Sequence, residues 1–172
     1  MKFIITQANQ YYVDSISLST KKNTDITNEQ CLERSPASLK AAIDLFKDLH
    51  PNIQFRSISN TYNCMGLIFA SRRTTIPSFD QLKQILSDDE YEPVNEHRDV
   101  KIGDIVIYFD ENTEPTHIGY VIRIDINIDL ATFEFKILSK WGYDGEYLHD
   151  IDDIPEAYGK DYKFYSERKI IK

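Results

Sequence analysis

The 172-residue chain is 41% hydrophobic and 12% aromatic, enough apolar material for the core of one globular domain over residues 1–172 and too short for a second full one. A formal net charge of −8, with the basic residues scattered, argues against a nucleic-acid partner. Two cysteines, Cys31 and Cys64, are too few for a disulfide scaffold or a cysteine zinc site, and both are expected to be reduced.

The N-terminus, Met1 to Gln7, turns polar after three apolar residues, too soon for a signal-peptide core, and no later stretch approaches a membrane span. A soluble, cytoplasmic chain with no membrane partner is the expectation. Phe3-Ile4-Ile5 and Tyr11-Tyr12-Val13 are short strand candidates within an N-terminal extension, residues 1–34. Ser35 and Pro36 then fit the cap and first position of a helix. Leu39, Ala42, Ile43, Phe46 and Leu49 recur on its buried face until His50-Pro51 stops it.

Ser57 to Asn63 reads as a polar turn, and Cys64 to Ser71, apolar nearly all round, as a buried helix with Cys64 at its start. Ser78 can cap a third helix carrying Phe79, Leu82, Ile85 and Leu86, followed by Asp88-Asp89-Glu90 as a solvated turn. Strands follow at 105–109, 118–124 and 133–138, forming an antiparallel meander, and Tyr162 to Tyr165 with Ile170 can add a last strand after a turn at Pro155 to Gly159. Helices first and strands afterwards predict an α+β fold, with helices packed on an antiparallel meander or half-barrel.

A cysteine in the first turn of a buried helix lies at the positive end of the helix dipole, where thiolate is favoured and unpaired N–H groups face a developing oxyanion. The segment Asn63-Cys64-Met65-Gly66-Leu67-Ile68 resembles the Asp-Cys-Ser-Gly-Leu-Val signature of the NlpC/P60 group of papain-like cysteine hydrolases. Asn63 and Met65 replace its Asp and Ser, and Gly66 allows close packing behind the cysteine. Gly103-Asp104-Ile105-Val106 is similar to that family's Gly-Asp-Leu-Val strand, and His117-Ile118-Gly119-Tyr120-Val121 to its His-Val-Gly-Ile-Tyr strand. The three motifs stand in the family's order. A free cysteine taken alone more often packs inertly in a core, and a strand histidine is more often a satisfied surface group. It is the joint pattern that points to chemistry.

The resemblance implies a papain-like fold and a hydrolase, with Cys64 as nucleophile and His117 as general base. His117 takes the thiol proton, the thiolate attacks a carbonyl, His117 protonates the leaving amine and water releases the acyl-enzyme. Amide, peptide or isopeptide bonds of a peptide or protein substrate are the natural targets. The backbone N–H of Cys64, helped by Tyr62 or Asn63, is the oxyanion candidate, and Trp141 a substrate contact.

The third residue is ambiguous. Ser139-Lys140-Trp141-Gly142 resembles the Asn-Ser-Trp-Gly region of papain, with Ser139 in the asparagine position. Hairpin register places Ser139 or Lys140 opposite His117. If the apolar faces of Ile118, Tyr120, Ile122, Ile124 and of Phe133, Phe135, Ile137 coincide, Lys140 lies beside His117, and an ammonium cannot accept the imidazole proton. His149 is the remote alternative and Asp125 a weaker one. No role falls to His50, His97 or Cys31. Arg72-Arg73 either complements a helix end or receives an acidic substrate group. The histidines and carboxylates lack metal-ligand spacing, so no metal or other cofactor is implied. The competing readings are a catalytically silent papain-like module that binds a protein partner, and an acyltransferase or deamidase on the same dyad.

Overall fold

The computed structural model describes residues 12–31, 35–127, 129–130 and 132–168. The elements run β1 (Tyr12–Asp14), β2 (Gln30–Cys31), α1 (Pro36–Leu49), β3 (Gln54–Ser57), α2 (Cys64–Phe69), α3 (Leu82–Asp88), β4 (Glu92–Val94), β5 (Ile105–Phe109), β6 (Pro115–Asn127), β7 (Thr132–Trp141), β8 (Gly145–Asp150) and β9 (Asp161–Ser166). Single 3-10 turns occur at Phe79–Gln81, His97–Asp99 and Glu156–Tyr158. The result is an α+β fold: β1 and β2 form a small ribbon, and the other strands make one open antiparallel sheet in the order β3-β8-β7-β6-β5-β9-β4.

The expected meander is β5 to β8. Strand β5 keeps its expected bounds, β6 and β7 run longer, and the tail supplies β9. Ser35 caps α1 by accepting from the Ser38 N–H, and Pro36 opens the helix. Leu39 and Ile43 are buried, whereas Leu49, expected on the same face, is exposed at the last turn, where the chain leaves the helix at His50. The third helix starts as a 3-10 turn capped by Ser78 before α3. Phe3-Ile4-Ile5, Tyr11 and Ile170 lie outside the described residues.

Strand alternation gives the sheet two apolar faces. Ile105, Ile107 and Ile118 pack against α2, with Ile85 of α3 behind it. Val106, Tyr108, Val121 and Ile137 face the other way, with Phe135 and Phe164. At the end of that second face Phe46 of α1 meets Trp141 and Tyr147 edge-on, at centroid distances of 5.2 and 5.7 Å.

Two further sequence expectations change. Asp88 is not solvated. It is buried and accepts from Thr20 and Thr24 at 2.8 and 2.6 Å and from Gln84 at 2.7 Å, anchoring the N-terminal segment; those three bonds hold its carboxyl down at about 2.

The register of β6 and β7 also differs. Gly119 pairs with Ser139 and Val121 with Ile137, but Arg123 pairs with Lys136, so a bulge at Ile122 reverses the alternation of β6. The apolar faces therefore do not coincide along the whole strand. Ser139 shares the face of Gly119 and His117, while Lys140, expected beside His117, follows Leu138 onto the face of α2.

Candidate active site

Asn63 explains why a helix starts at Cys64. Its side-chain oxygen accepts from the N–H of Gly66 at 2.9 Å and of Ile76 at 3.3 Å, and its amide donates to the Ile76 carbonyl at 2.6 Å. The cap and the strut to Ile76 occupy the side chain expected to help an oxyanion. Gly66 packs behind the cysteine as anticipated: a Cβ there would stand 1.9 Å from the Thr74 carbonyl oxygen.

Cys64 sits on the α2 face of the sheet, 7% exposed, near the backbone N–H donors of Ile118, Met65 and Cys64 itself. These donors favour thiolate, yet burial outweighs them and pushes the thiol up to about 11. The resting group is therefore a thiol, contrary to the expectation from the helix dipole. A helix of only six residues has little dipole to set against complete desolvation.

His117 is the immediate chain neighbour of Ile118 and is 1% exposed. It pairs across the ladder with Tyr108 and turns its ring to that residue and to Tyr158. The Tyr158 ring stacks on it at 4.0 Å between centroids and 12° between planes. Burial holds its pKa well below the ordinary histidine value, and the charge of His149 adds to that. Its Nε2 is buried without a hydrogen-bond partner. The two expected catalytic residues are thus brought to neighbouring positions, with Cys64 on one face and the imidazole on the other, and no hydrogen bond joins them.

Tyr158 covers the imidazole. Thr116 donates to its carbonyl at 2.5 Å, which fixes the Pro155–Gly159 turn over His117. The negative charge that Cys64 would carry raises the Tyr158 hydroxyl, a second effect after burial.

Ser139 and His149 hydrogen-bond each other. The His149 Nδ1–H donates to the Asp150 carbonyl at 2.7 Å, which leaves Nε2 to accept from the Ser139 hydroxyl at 2.8 Å. The Trp141 indole donates to the Ser139 oxygen at 3.0 Å. All three side chains are fully buried, and burial lowers His149 to about 4. Neither Ser139 nor His149 hydrogen-bonds the Nε2 of His117.

Sequence reasoning did not find the charged group on the cysteine's side. The Tyr62 hydroxyl, expected at the oxyanion, donates to Glu146 at 2.6 Å, and burial together with that carboxylate raises it to about 12. Arg72 holds the same carboxylate at 2.5 and 3.3 Å, so it neutralises a buried acid. Arg73 donates to the Ala70 carbonyl at the helix end, as a complementing base would. Opposite Glu146 on the ladder stands Lys140, fully buried, donating to the Gly142 carbonyl at 3.2 Å. No local pattern marks this cluster, because its members come from four separate segments.

Of the remaining histidines, His50 pairs with Asp153 at 2.9 Å and His97 stacks on Tyr162. Asp125 pairs with Arg123. Cys31 is a free buried thiol. No cluster of potential metal ligands occurs among the described residues, and no helix among them is long and apolar enough to cross a membrane. Compared with known proteins, the chain matches no family model, no curated protein and no solved structure at a significant level.

Proposed function

We propose that the protein is a papain-like cysteine hydrolase of NlpC/P60 type, acting in the cytoplasm on an amide, peptide or isopeptide bond of a peptide or protein, with Cys64 as nucleophile and His117 as base. The observation that carries this reading is the unpartnered Nε2 of His117. A fully buried imidazole nitrogen without a partner is uncommon, and this one belongs to the residue beside Ile118, whose backbone N–H favours the Cys64 thiolate. The stack with Tyr158 makes the resting pair inactive. Withdrawal of Tyr158 frees the ring to turn toward the sulfur and admits a carbonyl to the N–H groups of Cys64 and Met65. His117, neutral at rest, is then in the protonation state that a base needs.

The test is adduct formation with a peptidyl acyloxymethyl ketone, located by peptide mass spectrometry. Modification of Cys64 ahead of Cys31, lost in Cys64→Ser and in His117→Ala, is expected. Equal modification of the two cysteines, or full modification of Cys64 in His117→Ala, refutes the dyad. An acyltransferase or deamidase would give the same adduct and differ in the acceptor that releases the acyl group.

A second reading, a silent module that binds a protein partner, is favoured by the protonated resting thiol and by the lack of any bond between Cys64 and His117. It expects no adduct on Cys64.

A further inference from the structure

The network on the α2 side of the sheet deepens the cysteine reading and rests on it. Lys140 follows Leu138 in the alternation of β7 and so projects to the face where Ile118 and Cys64 meet. Its side chain is fully buried, which for a lysine is rare without a structural or chemical reason. Its ammonium lies 5.4 Å from the centroid of the Tyr62 ring, two residues before the cysteine, and donates to the Gly142 carbonyl. Tyr62 and Arg72 both engage Glu146, directly across the ladder from Lys140. The Gly142 carbonyl and the Tyr62 ring thus hold the lysine on the α2 side of the sheet.

We propose that Lys140 is a positioning residue for Cys64: the buried ammonium that steadies the cysteine thiolate from the α2 side of the sheet, where the imidazole of His117 is absent at rest. After the backbone N–H groups of Ile118 and Met65, the lysine charge also favours the thiolate against the upward push of burial. The titratable groups that bear on this pair are Tyr62 and Cys64 from the α2 side, Glu146 from β8 with Arg72 behind it, Asp144 in the β7–β8 turn and Tyr158 above. Lys140 neither donates nor accepts the catalytic proton. It sets how much thiolate exists for His117 and the substrate to act on.

The experiment is the rate of Cys64 alkylation by iodoacetamide from pH 7 to 10.5 in the intact chain, with Cys31 followed in the same samples. In Lys140→Met the Cys64 profile should move up by about one pH unit, which is about a tenfold slower reaction at pH 9. The profile of Cys31 should not move. Lys140→Arg, which keeps the charge, should recover most of the rate. Methionine at a buried charged position is often tolerated, so the fold should survive.

Glu146→Gln provides an independent direction, since removing the carboxylate that faces Lys140 should accelerate Cys64. Superposition of the Lys140→Met and wild-type Cys64 profiles overturns the proposal, as does equal slowing in Lys140→Met and Lys140→Arg, or no acceleration in Glu146→Gln. The ketone-adduct experiment separates this outcome from failure of the hydrolase reading: an adduct on Cys64 that requires His117 but not Lys140 leaves the dyad standing and removes the lysine.

Discussion

Replacing Gly66 by alanine tests the packing that sets the position of Cys64. The new Cβ would lie 1.9 Å from the Thr74 carbonyl oxygen and 3.1 Å from the Tyr62 Cβ. Real Cβ contacts do not fall below 3.0 Å, so the helix or the 74–76 segment must move by roughly 1.1 Å. Thr74 cannot swing aside, because its neighbour Thr75 exchanges backbone hydrogen bonds with Glu29 in both directions at 2.9 Å.

Overpacking against fixed backbone falls at the upper end of the usual range, about 3 kcal/mol, and alanine's better helix propensity returns about 1. The net loss of about 2 kcal/mol lowers Tm by about 4–8 °C in a chain of this size. Thermal unfolding followed by circular dichroism reads the change. Gly103→Ala is the companion: nothing stands within 4 Å of its Cβ, and only its φ of +95° is strained, for about 1 kcal/mol. An unchanged Tm in Gly66→Ala, or a smaller drop than in Gly103→Ala, refutes the reasoning.

Acid should destabilise the fold well above the carboxylate range. Both His117 and His149 bind protons less readily when folded, so the stability they contribute is complete above about pH 6.5, where the unfolded histidine is neutral, and is lost as pH falls. For His149, at about 4, the loss reaches about 3 kcal/mol at pH 4, read as a falling urea midpoint, and it should shrink in His149→Asn. A midpoint that stays flat from pH 7 to 4.5 contradicts the assignment. Arg168→Ala leaves Asp104, 2% exposed in its side chain, without the guanidinium that donates to it at 2.6 and 3.0 Å, and should cost about 2 kcal/mol in urea unfolding. Asp88→Asn loosens the tie from α3 to Thr20 and Thr24, so faster amide hydrogen exchange over residues 18–26 is expected, with the sheet unchanged.

The parts of the fold legible in the sequence are those whose signal is local. Ser35-Pro36 announces α1 because cap and first-turn chemistry are set by adjacent residues, and Ile105 to Phe109 announces β5 because five apolar residues between turns have few other uses. Strands β3 and β4 carry no such signal. Gln54–Ser57 is polar and only half-buried, and it becomes a strand because β8, ninety residues later, offers an edge. Asp88 looks like one member of an acidic run, and its burial depends on hydroxyls more than sixty residues away. The same holds for the Tyr62–Glu146–Arg72 cluster, which exists only after the sheet has formed.

The candidate site adds a sharper case, because there a single residue decides which side chains share a face. Periodicity marks β6 as a strand but cannot show which face each side chain takes, since apolar residues line both sides of the sheet. An unbroken alternation groups Ile118, Tyr120, Ile122 and Ile124. The bulge at Ile122 instead sends Ile118 and Tyr120 toward α2 and Ile124 to the opposite cluster. That shift places Ser139 on the side of His117 and Lys140 on the side of Cys64. The candidate nucleophile and base are marked by short motifs, whereas the face that Lys140 takes is set by where one strand slips past another by one residue. A variant that removed the bulge by deleting Ile122 would reverse the strand's alternation on one side of the deletion. It should therefore uncouple Cys64 alkylation from Lys140 even where the sheet still forms.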